Sequence, residues 1–67
     1  MLWPDADRIA MKLRSRGYEA FTDIDAMGDT HVAVTPKAEM WRLGYWLGAL
    51  REQVATIKLA DGMWEVH

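Results

Sequence analysis

The sequence predicts a single small two-layer α+β domain over residues 1–67, with the element order α-β-β-α-β-β and an antiparallel sheet that packs two helices on one face. Two observations support this fold class. Two segments repeat apolar residues at helical spacing, and four shorter segments rich in β-forming residues flank turn residues at 27–29 and 61–62. The sheet therefore follows from two hairpins, each preceded by a helix.

The composition narrows the class of protein. The chain has 51% hydrophobic residues, a formal net charge of −2 and no Cys, which excludes disulfides and Cys-ligated zinc and argues against a general binder of polyanions. A domain this small is marginally stable, and such domains usually depend on disulfides, a metal or a partner. We therefore expect a module that contacts another macromolecule.

The first helix is predicted for about residues 4–16. Pro4 suits the first turn, Asp5 and Asp7 complement the positive end of the helix dipole, and Gly17 is typical of the position just after a helix. The apolar residues with helical spacing are expected to face the core: Ala6, Ile9, Ala10 and Leu13.

Residues 18–25 and 30–35 are predicted to form the first hairpin. A two-residue turn at Gly28 and Asp29 would place two carboxylates on the face where Val32 and Val34 must be buried. A three-residue loop over 27–29 avoids this and pairs Asp25 with His31 on the outer face, so we favour it. The same loop puts four residues of the first strand beside the valines: Tyr18, Ala20, Thr22 and Ile24.

The second helix is predicted to begin at Thr35 and Pro36, as N-cap and first helical residue, and to continue to about Gln53. At 100° per residue its core stripe contains five apolar residues: Met40, Leu43, Leu47, Leu50 and Val54.

The last segment, residues 56–67, is predicted to form a hairpin with a type I′ turn at Asp61 and Gly62. One register gives both an apolar face and a cross-strand ion pair. It pairs Ala60 with Met63, Leu59 with Trp64, Lys58 with Glu65, and Ile57 with Val66.

The second helix also carries the predicted partner-binding residues. Trp41 and Tyr45 are neighbours one turn apart and lie far from the core stripe, while Trp46 lies at its margin and Gly44 and Gly48 lie beside them. Exposed aromatic residues are typical of binding hot spots, and glycines allow close approach of a partner. The alternative is intramolecular, with a loop, the segment 2–3 or the first helix covering Trp41, and Gly44 admitting the first helix.

A basic stripe on the first helix supports a second hypothesis. Arg8, Lys12 and Arg16 follow one another at intervals of one turn and are candidate rim or phosphate contacts. The stripe fits a nucleic-acid-binding module or contact with an acidic protein patch, but we favour a solvated helix face that complements the helix dipole.

Signals for chemistry are weak. The only Ser, Ser15, has no His near it in sequence, and the acidic segment at 23–29 lacks the ligands of a calcium loop because Met27 occupies a ligand position. Asp23, Asp25 and His31 could approach a cation, but we interpret them as a solvated hairpin with a weak surface pair, and we expect His67 to be frayed. The sequence therefore predicts no enzyme, no catalytic residue, no metal, no cofactor and no small-molecule substrate.

The favoured function is a non-enzymatic interaction module that binds a protein partner or itself. Chains of this size and composition are common among phage and mobile-element accessory proteins, so inhibition of a host system such as CRISPR is one expectation, although no stretch carries a family motif. The first residues lack the features of a signal peptide and no segment is apolar enough to span a membrane, so we expect a cytoplasmic protein without a membrane partner.

Overall fold

The computed structural model describes residues 1–67 and contains two helices and one four-stranded sheet. The strands are antiparallel in the order β1-β2-β4-β3, so β2 and β4 are the central strands. The elements are α1 (Trp3–Arg14), β1 (Ala20–Ile24), β2 (Thr30–Val34), α2 (Met40–Ala49), β3 (Ile57–Ala60) and β4 (Met63–Val66). This order confirms the predicted α+β class. Neither helix is long and apolar enough to cross a membrane.

One hydrophobic core lies between the helices and the sheet. Both helices contribute to it, which confirms that they pack on the same face. The core contains Ala6, Ile9, Ala10 and Leu13 of α1, Leu43 and Leu47 of α2, Ala20, Val32, Val34 and Val66 of the sheet, and Ala38. Of the predicted stripe of α2, Leu43 and Leu47 are buried, Leu50 is half-buried, and Val54 packs against the core from the segment after the helix, whereas Met40 is exposed.

The end of α1 follows the predicted glycine signal. Gly17 has a φ of 91°, a left-handed conformation that suits glycine. The N–H of Tyr18 donates to the carbonyl of Leu13 at 3.2 Å, and the N–H of Gly17 donates to that of Arg14 at 3.0 Å, which together form a Schellman motif. The regular helix begins at Trp3 and ends at Arg14, slightly earlier than predicted.

The predicted start of α2 at Pro36 is wrong. Thr35 and Pro36 belong to a turn in which the N–H of Ala38 donates to the carbonyl of Thr35 at 3.1 Å. This turn buries Ala38 and presents its carbonyl to the indole N–H of Trp64 at 2.6 Å, so a long-range contact prevails over the local helix signal. The helix begins only at Met40.

The predicted end of α2 near Gln53 is also too late. The helix ends at Ala49, and Arg51 adopts a left-handed φ of 59°. The N–H of Glu52 then donates to the carbonyl of Leu47 at 2.9 Å, which closes the helix in the same way as at Gly17 but with a non-glycine residue.

The β3–β4 hairpin confirms the predicted register. Its four pairs are Ala60 with Met63, Leu59 with Trp64, Lys58 with Glu65, and Ile57 with Val66. Asp61 and Gly62 have φ values of 51° and 77°, the left-handed pair that a type I′ turn requires.

The β1–β2 hairpin has the predicted faces but a different register. Thr22 pairs with Val32 and Asp23 pairs with His31, so the connection is the five residues 25–29 and the predicted pairing of Asp25 with His31 is wrong. The cause is the Asp25 carboxylate, which accepts hydrogen bonds from the N–H groups of Met27 at 2.8 Å and Asp29 at 2.9 Å. These bonds lower the pKa of Asp25, with Asp29 making the larger contribution.

Candidate functional site

The exposed face of α2 carries an aromatic surface, which we define as Trp41, Tyr45 and Trp46. Trp41 is 67% exposed and Tyr45 is 64% exposed, whereas Trp46 is half-buried. The rings of Tyr45 and Trp46 meet edge to face, with centroids 5.3 Å apart and an angle of 77° between their planes. Edge-to-face contact is a favourable arrangement of aromatic rings, so Tyr45 and Trp46 stabilise each other's position.

The helix geometry explains this exposure. Leu43 and Leu47 point into the core, and Trp41 and Tyr45 lie on the other side of the same two turns. The indole N–H of Trp41 donates to the carboxylate of Glu39, one residue before the helix. No other part of the chain covers Trp41, so the intramolecular alternative is not what the structure shows.

The two glycines of α2 leave open space beside the aromatic surface. A side-chain methyl built at Gly44 or Gly48 would meet no atom within 4 Å. Gly44 therefore does not admit α1. It instead lines a shallow groove with Met40, Val54 and Ile57, on the side of α2 that leads toward β3.

Two arginines flank the aromatic surface. The guanidinium carbon of Arg16 lies 4.8 Å from the ring centroid of Trp46, and that of Arg42 lies 6.0 Å from the centroid of Trp41. Both distances are within the range of cation–π contacts. The rings thus have positive charge beside them on two sides.

The predicted basic stripe on α1 does not form a free cationic patch. Glu52 accepts hydrogen bonds from Nε and Nη2 of Arg8 at 3.0 and 2.9 Å and from Nζ of Lys12 at 2.8 Å, and Asp5 accepts a further one from Arg8 at 2.7 Å. The two cations hold the pKa of Glu52 at about 2, with Arg8 the larger cause, and Glu52 in turn raises the pKa of Arg8. The third residue of the stripe, Arg16, contacts Trp46 instead.

Ser15 has no catalytic surroundings. Its hydroxyl donates to the carbonyl of Lys12 at 2.7 Å, a local bond within the last turn of α1. The structure places no His or carboxylate in hydrogen-bond contact with this oxygen.

The outer face of the sheet holds a grouping that the sequence interpretation missed. His31 is only 2% exposed, so the expected surface pair is wrong, and its ring stacks on that of His67 with centroids 5.1 Å apart. His67 is not frayed, because its N–H donates to the carbonyl of Thr56 at 2.9 Å and its carbonyl accepts from Ala55 at 2.7 Å. Alternation along the strands predicts the face on which His31 and His67 lie. Only the pairing of β2 with β4 places the two residues side by side.

The carboxylate of Glu65 lies beside both histidines. Its Oε1 is 3.0 Å from Nε2 of His67, and this hydrogen bond is the main cause of the lowered pKa of Glu65. The aromatic surface and this histidine grouping are on opposite layers of the domain.

Searches for similarity found no protein-family model, no curated protein and no solved structure that matches this chain.

Proposed function

We propose that this protein is a non-enzymatic interaction module that binds a protein partner through the aromatic surface of α2. The observation that carries the proposal is the side-by-side exposure of Trp41 and Tyr45, at 67% and 64%, on a helix whose other side is anchored in the core. Trp, Tyr and Arg are the residues most enriched at energetically dominant interface positions. The helix presents both rings on its exposed side.

The charges beside the rings favour one kind of partner. Arg42 and Arg16 each lie against a ring of the surface, so a complementary partner offers an apolar pocket with carboxylates at its edge. A symmetric homodimer would also bring Glu39, which accepts a hydrogen bond from the indole of Trp41, to the interface, so these charges do not distinguish a foreign protein from a second copy of this chain.

The open glycines extend the surface. Because nothing occupies the space above Gly44 and Gly48, a partner segment can approach the backbone of α2 closely. Gly44 lies one position before Tyr45, so both the ring and the open space are within reach of one bound helix or strand.

Inhibition of a host system such as CRISPR would require a protein partner and stays a prediction. A cytoplasmic location also stays a prediction.

The nucleic-acid alternative has less support. Arg8 and Lys12 are already paired with Glu52, so binding to phosphates would first have to break three charge-assisted hydrogen bonds. We keep it as an outcome of the test.

The test is capture of partners from cell extract by the immobilised protein, with the Trp41→Ala/Tyr45→Ala variant compared with wild type. A matched control, Met11→Ala/Met27→Ala, removes exposed apolar side chains elsewhere on the surface. We expect a protein that wild type and control retain and that the aromatic variant loses, while all three melt at similar temperatures. The captured protein should then quench or shift the Trp fluorescence of wild type when titrated.

Three results would contradict the proposal. Equal retention by all three forms would remove the aromatic surface from the interaction. Loss of binding on charge reversal at Arg8 and Lys12, with a steep dependence on salt, would favour nucleic acid. A dimer in light scattering that Trp41→Ala converts to monomer would replace a foreign partner with self-association.

A further inference from the structure

The outer face of the sheet, opposite the helices, carries four metal-ligating side chains on three neighbouring strands. His31 is on β2, Asp23 is directly opposite it on β1, and Glu65 and His67 are on or just after β4. We call these four residues the histidine–carboxylate cluster. It is separate from the aromatic surface, which lies on the helical layer.

His31 is buried in this cluster without a hydrogen bond. Its Nε2 is 3.6 Å from Oδ2 of Asp23 and 3.9 Å from Oε2 of Glu65, both longer than a hydrogen bond, and its Nδ1 is buried with no partner. Buried polar groups in proteins almost always have a partner. The Nε2 side of the ring faces these two carboxylates, and the ring lies beside a second imidazole, so His31 has the surroundings of a metal-ligating residue.

The spacing of the ligand atoms suits a small divalent ion. His31, Glu65 and His67 each offer one ligand atom, and these atoms all lie within 4.8 Å of one another. Bonds of about 2.0–2.1 Å to a tetrahedral Zn²⁺ place neighbouring ligand atoms about 3.3 Å apart. Oε1 of Glu65 is 3.0 Å from Nε2 of His67, and Oε2 of Glu65 is 3.9 Å from Nε2 of His31, so ion binding would draw His31 and Glu65 slightly closer together.

We propose that the histidine–carboxylate cluster is a Zn²⁺ site, with His31, Glu65 and His67 as protein ligands and Asp23 or water in the fourth position. Two imidazoles and one carboxylate form a ligand set that Zn²⁺ uses in proteins that offer no thiolate. Binding would turn the His67 ring out of its stack on His31, and His67 is the more exposed of the two imidazoles. The ion would connect β2, β4 and the residue after β4.

A Zn²⁺ site would help to stabilise a domain of this small size. A chain of 67 residues without Cys has no disulfide to stabilise it. Zn²⁺ that binds only the folded state adds its binding free energy to the free energy of unfolding. The ion would act between the two central strands, which come from different hairpins.

The test uses the full chain, freed of metal with a chelator, and ZnCl₂ as the probe. Isothermal titration should show one Zn²⁺ per chain, and saturating Zn²⁺ should raise the melting temperature, with chelator restoring the original value. Co²⁺ in place of Zn²⁺ should give the visible absorption of a tetrahedral site. In NMR spectra, the imidazole signals of both histidines of the chain, His31 and His67, should shift on addition of Zn²⁺.

Variants locate the site. His67→Ala removes a partly exposed ligand that is not needed for the core, so this variant should fold. Its Zn²⁺ affinity should fall by at least about tenfold, because even the loss of a residue that only hydrogen-bonds to a ligand lowers metal affinity by about that factor. Trp41→Ala on α2, which lies on the helical layer away from the cluster, should bind Zn²⁺ as wild type does. Absence of a Zn²⁺-dependent melting shift in wild type, or unchanged affinity in His67→Ala, would overturn the proposal.

Discussion

Replacing Glu52 with Gln should destabilise the fold at neutral pH and leave its stability unchanged in strong acid. Glu52 follows α2 but its carboxylate binds two side chains of α1, with both oxygens occupied by Arg8 and one also by Lys12. Its side chain is only 7% exposed. The substitution keeps the shape of the side chain and removes the charge that holds the two cations.

The magnitude follows from the pKa of Glu52. A pKa lowered from 4.5 to about 2 corresponds to at most about 3.5 kcal/mol, since one pKa unit is equivalent to about 1.4 kcal/mol. Arg8 and Lys12 are 48% and 38% exposed, so water and salt screen much of this interaction. We expect about 1–2 kcal/mol to remain for the charge at neutral pH.

The sign of the pH dependence is fixed by the direction of the shift. Because folding lowers the pKa, the stabilisation is fully present above the ordinary pKa of 4.5 and is lost as the pH falls through about 2. Urea unfolding followed by Trp fluorescence, at a series of pH values, measures it. The wild-type and Glu52→Gln free energies of unfolding should differ at neutral pH and converge in this acid range.

The control is Asp5→Asn, which removes the other carboxylate on Arg8. Asp5 is much more exposed than Glu52, so its loss should cost no more than about 0.5 kcal/mol. If the Glu52→Gln difference stays constant from neutral to acid pH, or equals that of Asp5→Asn, the attribution to the buried carboxylate is refuted.

Three further predictions concern local geometry and packing. Arg51→Gly should stabilise the protein by about 0.5–1 kcal/mol, seen as a higher melting temperature, because Arg51 holds a left-handed φ of 59° at the end of α2; a lower melting temperature would contradict this. The two glycine variants should act in opposite directions in urea titrations: Gly44→Ala, in a helix with open space, should gain up to about 1 kcal/mol, and Gly62→Ala, at a φ of 77°, should lose about as much. Leu47→Ala should cost about 2–5 kcal/mol, enough to remove much of the helical signal in circular dichroism, and a cooperative transition close to that of wild type would show that Leu47 is not a core residue.

The parts of the fold that could be predicted from sequence are those with local determinants. The β3–β4 register depends on the turn residues Asp61 and Gly62 and on the pairing of residues a few positions apart, and all of it is confirmed. The exposure of Trp41 and Tyr45 depends only on helical spacing, which does not change when the start of the helix moves. Their role in binding stays a prediction.

The parts that failed depend on choices that local sequence leaves open. Thr35 and Pro36 suit a helix start and a turn equally well. The hydrogen bond from the indole of Trp64 to the carbonyl of Ala38 forms only with the turn, and Trp64 is far away in sequence. Asp25 can pair with a residue across the hairpin or accept hydrogen bonds within the loop. It does the second, because its carboxylate accepts from the N–H groups of Met27 and Asp29. The neighbours of His31 on β4 follow from the strand order, which no local pattern specifies.

The strand order also has a consequence for how the chain folds. β1 with β2 and β3 with β4 are hairpins of adjacent segments, which form in microseconds and with little loss of loop entropy. Joining β2 to β4 brings Val32 opposite Val66, from the two halves of the chain, and must close the long loop that contains α2. We therefore expect the encounter of two half-sheets, rather than the formation of either hairpin, to determine the folding rate of this domain.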